Sequence, residues 1–142
     1  MKTLVMKFGG TSVGGVEAID QATGLVLEQA REWERVAVVV SAMSGVTDAL
    51  IQSAQAAACG DDRAYRAIVS DLRVRHHQTV DGLLSQESER IRLLVTVDRL
   101  MDELAAFCYS IHILGEVTPR AMDAITSLGE PVSYTHLTLP TN

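Results

Sequence analysis

Lys7-Phe8-Gly9-Gly10-Thr11-Ser12-Val13-Gly14 follows the apolar run Thr3-Leu4-Val5-Met6, so a lysine closes a strand and the chain turns at once into glycines and hydroxyls. Leu4, Met6 and Phe8 alternate with Thr3, Val5 and Lys7, which predicts a strand over 3–8 with Lys7 at its C-terminal end. Gly9 and Gly10 let backbone N–H groups approach an anion with no Cβ in the way, and Thr11 and Ser12 add donors. A helix expected from Val16 onward turns its positive end toward the same place. Together these residues describe a phosphate site. It is not a Walker A loop, where the lysine comes after the glycines, and it is not GxGxxG. On spacing alone, Gly-Gly after a strand also serves as a plain tight turn.

Working outward, residues 16–33 carry Ile19, Ala22, Val26, Ala30 and Trp33 on one side of a helix, with Trp33 expected in the core. Residues 35–41 hold the branched run Val36-Ala37-Val38-Val39-Val40, the composition of a strand covered on both faces. Strand, helix and strand make a βαβ unit. Its right-handed crossover sets the strands parallel and brings Lys7 and Ser41 to one sheet edge, where open α/β sheets bind ligands. The small-residue turn Ser41-Ala42-Met43-Ser44-Gly45-Val46-Thr47-Asp48 opens on that edge. Ser41 and Thr47 can donate to a carboxylate there, although Ser44 or Thr47 alone would also serve as a helix N-cap.

Three helices are expected next, over 47–59, 63–84 and 87–114, with Asp61 or Asp62 capping the second. In the third, Leu93, Val97, Leu100, Leu104, Phe107, Ile111 and Leu114 recur every three or four residues and form a packing seam. Arg92, Asp98, Arg99, Asp102 and Glu103 lie off that seam as a solvated face. Thr118 and Pro119 supply an N-cap and first-turn proline for a short helix to Leu128, and Gly129 is expected to end it before Glu130.

Composition narrows the function classes. A chain of 142 residues with 47% apolar content can build one real core. Net charge is −6, with no cluster of Lys or Arg, so nucleic acid and anionic membrane surfaces are poor partners and small ligands fit better. No apolar run reaches the roughly 18 residues of a membrane span, and the start lacks a signal-peptide pattern, so a cytoplasmic location is expected. Cys59 and Cys108 are widely separated and expected as buried thiols. His76 and His77 are adjacent, point about 100° apart on a helix and are expected to face solvent, while His112 is expected to be partly buried. No protein metal site is expected.

The string at 7–13 resembles the signature of the aspartate kinases, within the amino-acid kinase superfamily, and Val40-Ser-Ala-Met-Ser-Gly-Val-Thr-Asp48 is similar to that family's second motif. The resemblance implies an α/β fold, a three-layer αβα sandwich, here incomplete, with a long helical insert. It implies that Lys7, Gly9, Gly10, Thr11 and Ser12 hold the phosphates of ATP, with Mg²⁺ riding mainly on those phosphates. Lys7 would also be catalytic, between the γ-phosphate and the acceptor. Ser41 and Thr47 would contact L-aspartate, and Glu130, after Gly129, would bind or position its amino group. The product would be 4-phospho-L-aspartate, at the entry to lysine, threonine and methionine synthesis, made by a parent enzyme expected to be a homo-oligomer.

Where the family continues after Gly-Glu with a basic residue, a hydrophobic one and serine, this chain has Pro131-Val132-Ser133. From Pro131 to Asn142 there is no acidic or basic residue apart from His136, and residues 132–141 match one reading frame of a transposase sequencing adapter. Residues 1–130 are therefore expected to be the first part of a kinase domain, and 131–142 a non-native, disordered tail. Such a chain alone is expected to be inactive. Competing assignments are another kinase of the superfamily acting on glutamate or acetylglutamate, a non-catalytic Rossmann-like nucleotide-binding fragment, and a helical oligomerisation fragment. The insert and the 41–48 string argue against the first of these.

Overall fold

The computed structural model describes residues 2–131. Strand β1 (Thr3–Phe8) leads through a single 3₁₀ turn (Gly10–Val13) into helix α1 (Val16–Glu32), and strand β2 (Arg35–Val40) follows. The strands are parallel, with Lys7 opposite Val39 and Phe8 opposite Val40. The ladder continues one step further, where the Ser41 N–H donates to the Phe8 carbonyl at 3.2 Å. The expected βαβ unit is thus formed, and both strands end beside the same loops.

Phe8, Val13, Ile19 and Ala22 make a small core between β1 and α1, with Met6, Val26 and Val40 packed against it. Among the described residues only that face of the sheet is covered. On the other, Val5 is 65% exposed and Val39 49%, so the branched run in β2 does not lie between two covered faces among the described residues. Trp33 is half-buried, not core, because it forms the C-cap of α1 and lies beyond the helix's buried stripe.

The larger core belongs to helices α2 (Val46–Ala58), α3 (Asp62–Leu83), α4 (Glu87–Leu114) and α5 (Pro119–Ser127). Two caps form as expected: Asp61 accepts from the Ala64 N–H and Thr118 from the Ala121 N–H. In α4 the buried stripe is Leu93, Val97, Leu100, Met101, Leu104, Cys108 and Ile111. Leu114 is 73% exposed and falls outside it, since the helix has run past its neighbours by its last turn.

Three expectations fail here. His76 is fully buried because it continues the α3 stripe of Tyr65, Val69 and Leu72 at helical spacing, a phase that adjacency to His77 obscures. Cys59 is exposed, two residues past Ala57, the last buried position of α2, whereas Cys108 is buried and donates to Ser53 Oγ at 3.5 Å. Burial pushes the Cys108 thiol pKa up, so it stays protonated and inert.

The third is Asp98 alone: Arg92, Arg99, Asp102 and Glu103 on the same face of α4 are exposed as expected, whereas Asp98 is half-buried. Arg73 donates to Asp98 at 2.7 Å and also to Asp102, and His77 Nε2 lies 2.8 Å from the same Asp98 oxygen, so the cluster clamps α3 to α4. Partial burial alone would raise the Asp98 pKa, but the bonds from Arg73 and His77 outweigh it and hold it below the ordinary 3.8. A depressed carboxylate stabilises the fold above its unfolded pKa, and that contribution disappears as pH falls through the folded value. Asp98→Asn should therefore cost about 0.5–1 kcal/mol near pH 7, the range for a partly exposed pair. Urea titrations should show this difference shrinking toward zero as the pH drops below about 4.

Candidate functional site

The glycine loop is short and well anchored. Val13 is fully buried, the Ser12 N–H donates to the Gly9 carbonyl at 2.9 Å, and the chain leaves through Gly14 into α1, whose N-cap Gly15 supplies no capping side chain. The two glycines do different work. A Cβ on Gly10 would stand 3.1 Å from the Ala42 carbonyl, so this position must be bare for the second loop to pass, while nothing lies within 4 Å of a Cβ on Gly9. The Gly10 carbonyl accepts from the Ser44 N–H at 3.1 Å, which stitches the loop after β1 to the loop after β2. Lys7, Thr11 and Ser12 are all exposed, and Lys7 makes no ion pair among the described residues. By strand alternation Lys7 shares the open face of β1 with Val5.

The second loop ends at Gly45, which has a φ of 77° and is the N-cap of α2. A left-handed N-cap with no capping side chain means that neither Ser44 nor Thr47 is used as a cap. Thr47 is left exposed in the first turn of α2, and Ser41 Oγ donates to the Ala42 carbonyl at 3.1 Å.

Glu130 reaches this loop because of Gly129. A Cβ on Gly129 would meet Ala42 Cβ at 3.0 Å, Leu50 at 3.2 Å and Val46 at 3.4 Å, so only glycine lets the end of α5 lie so close to the start of α2. Gly129 does not end the helical path as expected, since Leu128 stays right-handed and residues 129–131 are again helical. A cleft of about 400 Å³ results, lined by Ser41, Ala42, Thr47, Asp123, Thr126, Ser127 and Glu130. It unites the three residues expected to hold the substrate; Lys7 is not in its lining. Asp123, Thr126 and Ser127 were not anticipated. On a helical path Ser127, Thr126 and Asp123 stand three, four and seven residues before Glu130, and that spacing was the signal that could have found them. Replacing Gly129 by Val should force the two helices apart, cost about 1–3 kcal/mol in urea unfolding as overpacking does, and weaken any ligand held by Glu130.

Chemically, the first loop offers an ammonium, hydroxyls and backbone amides, a set suited to an anion. The cleft adds both hydroxyls and carboxylates to its lining, suited to a ligand that carries both charges. The model of the amino acid kinase family matches residues 2–137 of the sequence. The chain belongs to the amino acid kinase family.

Among relatives, the amino acid kinase chain is similar to the aspartokinase of Candida albicans, with 28% identity over 95% of this chain and 25% of that one. It is 35% identical to the bifunctional aspartokinase/homoserine dehydrogenase 1 of Zea mays over 89% of this chain and 13% of that protein. The chain thus spans a quarter or less of these relatives' length. Its fold matches E. coli aspartokinase III, solved in complex with aspartate and ADP, with a TM-score of 0.77 at 24% identity over 96% of this chain and 28% of that one. The incomplete α/β architecture with a helical insert is therefore that of the family. Among the described residues no helix is long and apolar enough to cross a membrane.

Proposed function

We propose that this chain is the N-terminal part of an aspartate kinase, which transfers the γ-phosphoryl group of ATP to the side-chain carboxylate of L-aspartate. The observation that carries the proposal is the cleft in which Ser41 and Thr47, from the second loop, meet Glu130, from a segment 83 residues beyond Thr47, beside the loop that Gly10 and Ser44 join to the glycine turn. Relatives named as aspartokinases, one of them solved with aspartate and ADP, support the same assignment.

In this scheme the α-carboxylate of aspartate takes the hydroxyls of Ser41 and Thr47, and its ammonium takes Glu130. The β-carboxylate then faces the phosphates held at Gly9, Gly10, Thr11 and Ser12. An oxygen of that carboxylate attacks the γ-phosphorus, the bond to the β–γ bridging oxygen breaks, and ADP leaves with the electron pair. The acceptor is already ionised at neutral pH, so no general base is needed, and alignment and charge neutralisation dominate. Lys7 stabilises the γ-phosphoryl oxygens as charge moves across them.

The donors at the glycine loop fit phosphate and not a bare cation, and among the described residues no group of three His, Cys, Asp or Glu could hold a metal. Mg²⁺ would ride on the ATP phosphates held at Gly9, Gly10, Thr11 and Ser12 and would neutralise part of their charge. The complete enzyme is a homo-oligomer in this proposal, and residues 131–142 are adapter-derived. The family match extends to residue 137, beyond that junction, so sequencing the source DNA across codons 130–132 is the direct check.

The function is tested with the polypeptide of the uninterrupted gene, in the presence of ATP, Mg²⁺ and hydroxylamine to trap acyl phosphate. L-Aspartate should give hydroxamate at least about 100-fold faster than L-glutamate or N-acetylglutamate, since their extra methylene misaligns the attacking oxygen. The 142-residue chain by itself should give none. Equal rates with glutamate would assign the site to another member of the family.

A further inference from the structure

We propose that Arg75 is a positioning residue that holds the phosphate loop and the acceptor loop at one fixed spacing, an inference that rests on the kinase assignment above. Arg75 lies on α3, part of the helical insert, yet its side chain leaves the insert. Its Nη2 donates to the Gly14 carbonyl at 3.1 Å, at the exit of the glycine turn. Its Nη1 lies 3.7 Å from where a Cβ on Gly45 would stand, at the left-handed turn that starts α2. One guanidinium is therefore bonded to the end of the first loop and lies beside the bend of the second.

The base of this side chain is fixed. Thr79 Oγ1 donates to the Arg75 carbonyl at 3.0 Å, and further along α3 a Cβ on Gly82 would stand only 2.6 Å from Val16 Cγ2, so α3 is seated against the first residue of α1. Arginine suits the task because its planar fork presents donors in fixed directions from a long stem. The Gly10 to Ser44 bond joins the loops at their inner ends. Arg75 is bonded to the outer end of the first loop at Gly14 and packs beside Gly45, so it fills the space into which the two loops would close about the single inner bond. An in-line transfer between ligands held on different loops depends on that spacing, and a misplacement of about 1 Å can cost on the order of 100-fold in rate.

The test compares Arg75→Ala and Arg75→Lys with the parent in the polypeptide of the uninterrupted gene. Alanine should lower kcat by about 30- to 100-fold while KM for ATP and for aspartate stays within about 3-fold, because each loop still binds its own ligand. Lysine, which can still donate to Gly14, should recover about 10-fold of the loss. An unchanged kcat, a rise confined to KM, or no recovery by lysine would overturn the proposal. If the parent itself does not phosphorylate aspartate, the kinase assignment fails instead.

Amide hydrogen exchange on the 142-residue chain then decides the positioning role separately. Arg75→Ala should speed exchange at Ser12, Gly14, Ser44 and Val46 by about 10-fold and leave the buried stripe of α4 unchanged, as expected for local opening. Uniform acceleration along the chain, or none, would overturn it.

Discussion

Lys7→Ala in the complete kinase is expected to lower kcat by about 10³-fold, the upper end of what removing one preorganised donor to transition-state charge costs. The side chain is exposed and unpaired among the described residues, so the substitution should leave the unfolding midpoint close to that of the parent. KM for aspartate should hardly move, because Ser41, Thr47 and Glu130 make the cleft without Lys7. Lys7→Arg should rescue poorly, since a planar fork cannot take the place of a compact ammonium at the end of a strand. Steady-state kinetics beside thermal unfolding separate these effects, and an alanine variant that keeps a tenth of the activity would remove Lys7 from the mechanism.

Glu130→Ala carries the second-largest expected effect. Leaving the substrate's ammonium without its carboxylate in a cleft should cost about 2–3 kcal/mol, the scale of a charge-assisted hydrogen bond, or roughly 30- to 150-fold in kcat/KM for aspartate. KM for ATP should be unchanged. Succinate, which lacks the ammonium, gives a sharper readout: the parent should strongly prefer aspartate over succinate and the variant should lose most of that preference. Asp123 lines the same cleft, so Asp123→Asn reports whether the second carboxylate shares the task.

Much of the architecture was legible because local signals agreed with one another. Alternation in 3–8, the caps at Asp61 and Thr118 and the period of α4 each state their element without help from distant residues. The site was legible as two strings and a lone glutamate, but not as a cleft, because what joins them is a close approach. Gly129 carries no side chain to mark that it lies against Ala42 and Leu50. Asp123 and Thr126 have the composition of any exposed helix face, and only the position of α5 against α2 gives them a role. His76 was misplaced for the opposite reason, as a polar residue type on a buried stripe. Asp98 was read as solvated because its ion pair with Arg73, between two helices, leaves no trace in either helix's own period.

The open side of the sheet bears on how the ammonium at position 7 behaves. Its strand neighbour Val5 and its cross-strand partner Val39 are bare apolar surface, so it now stands in bulk water, where counterions weaken its pull within about 10 Å at 0.1 M salt. Any layer laid over Val5 and Val39 would remove water from around that cation and lower the dielectric through which it acts. Nucleotide affinity of the bare chain should therefore fade as ionic strength rises, while the same contact under a covering layer should hold. A salt titration becomes a gauge of whether the sheet is clothed.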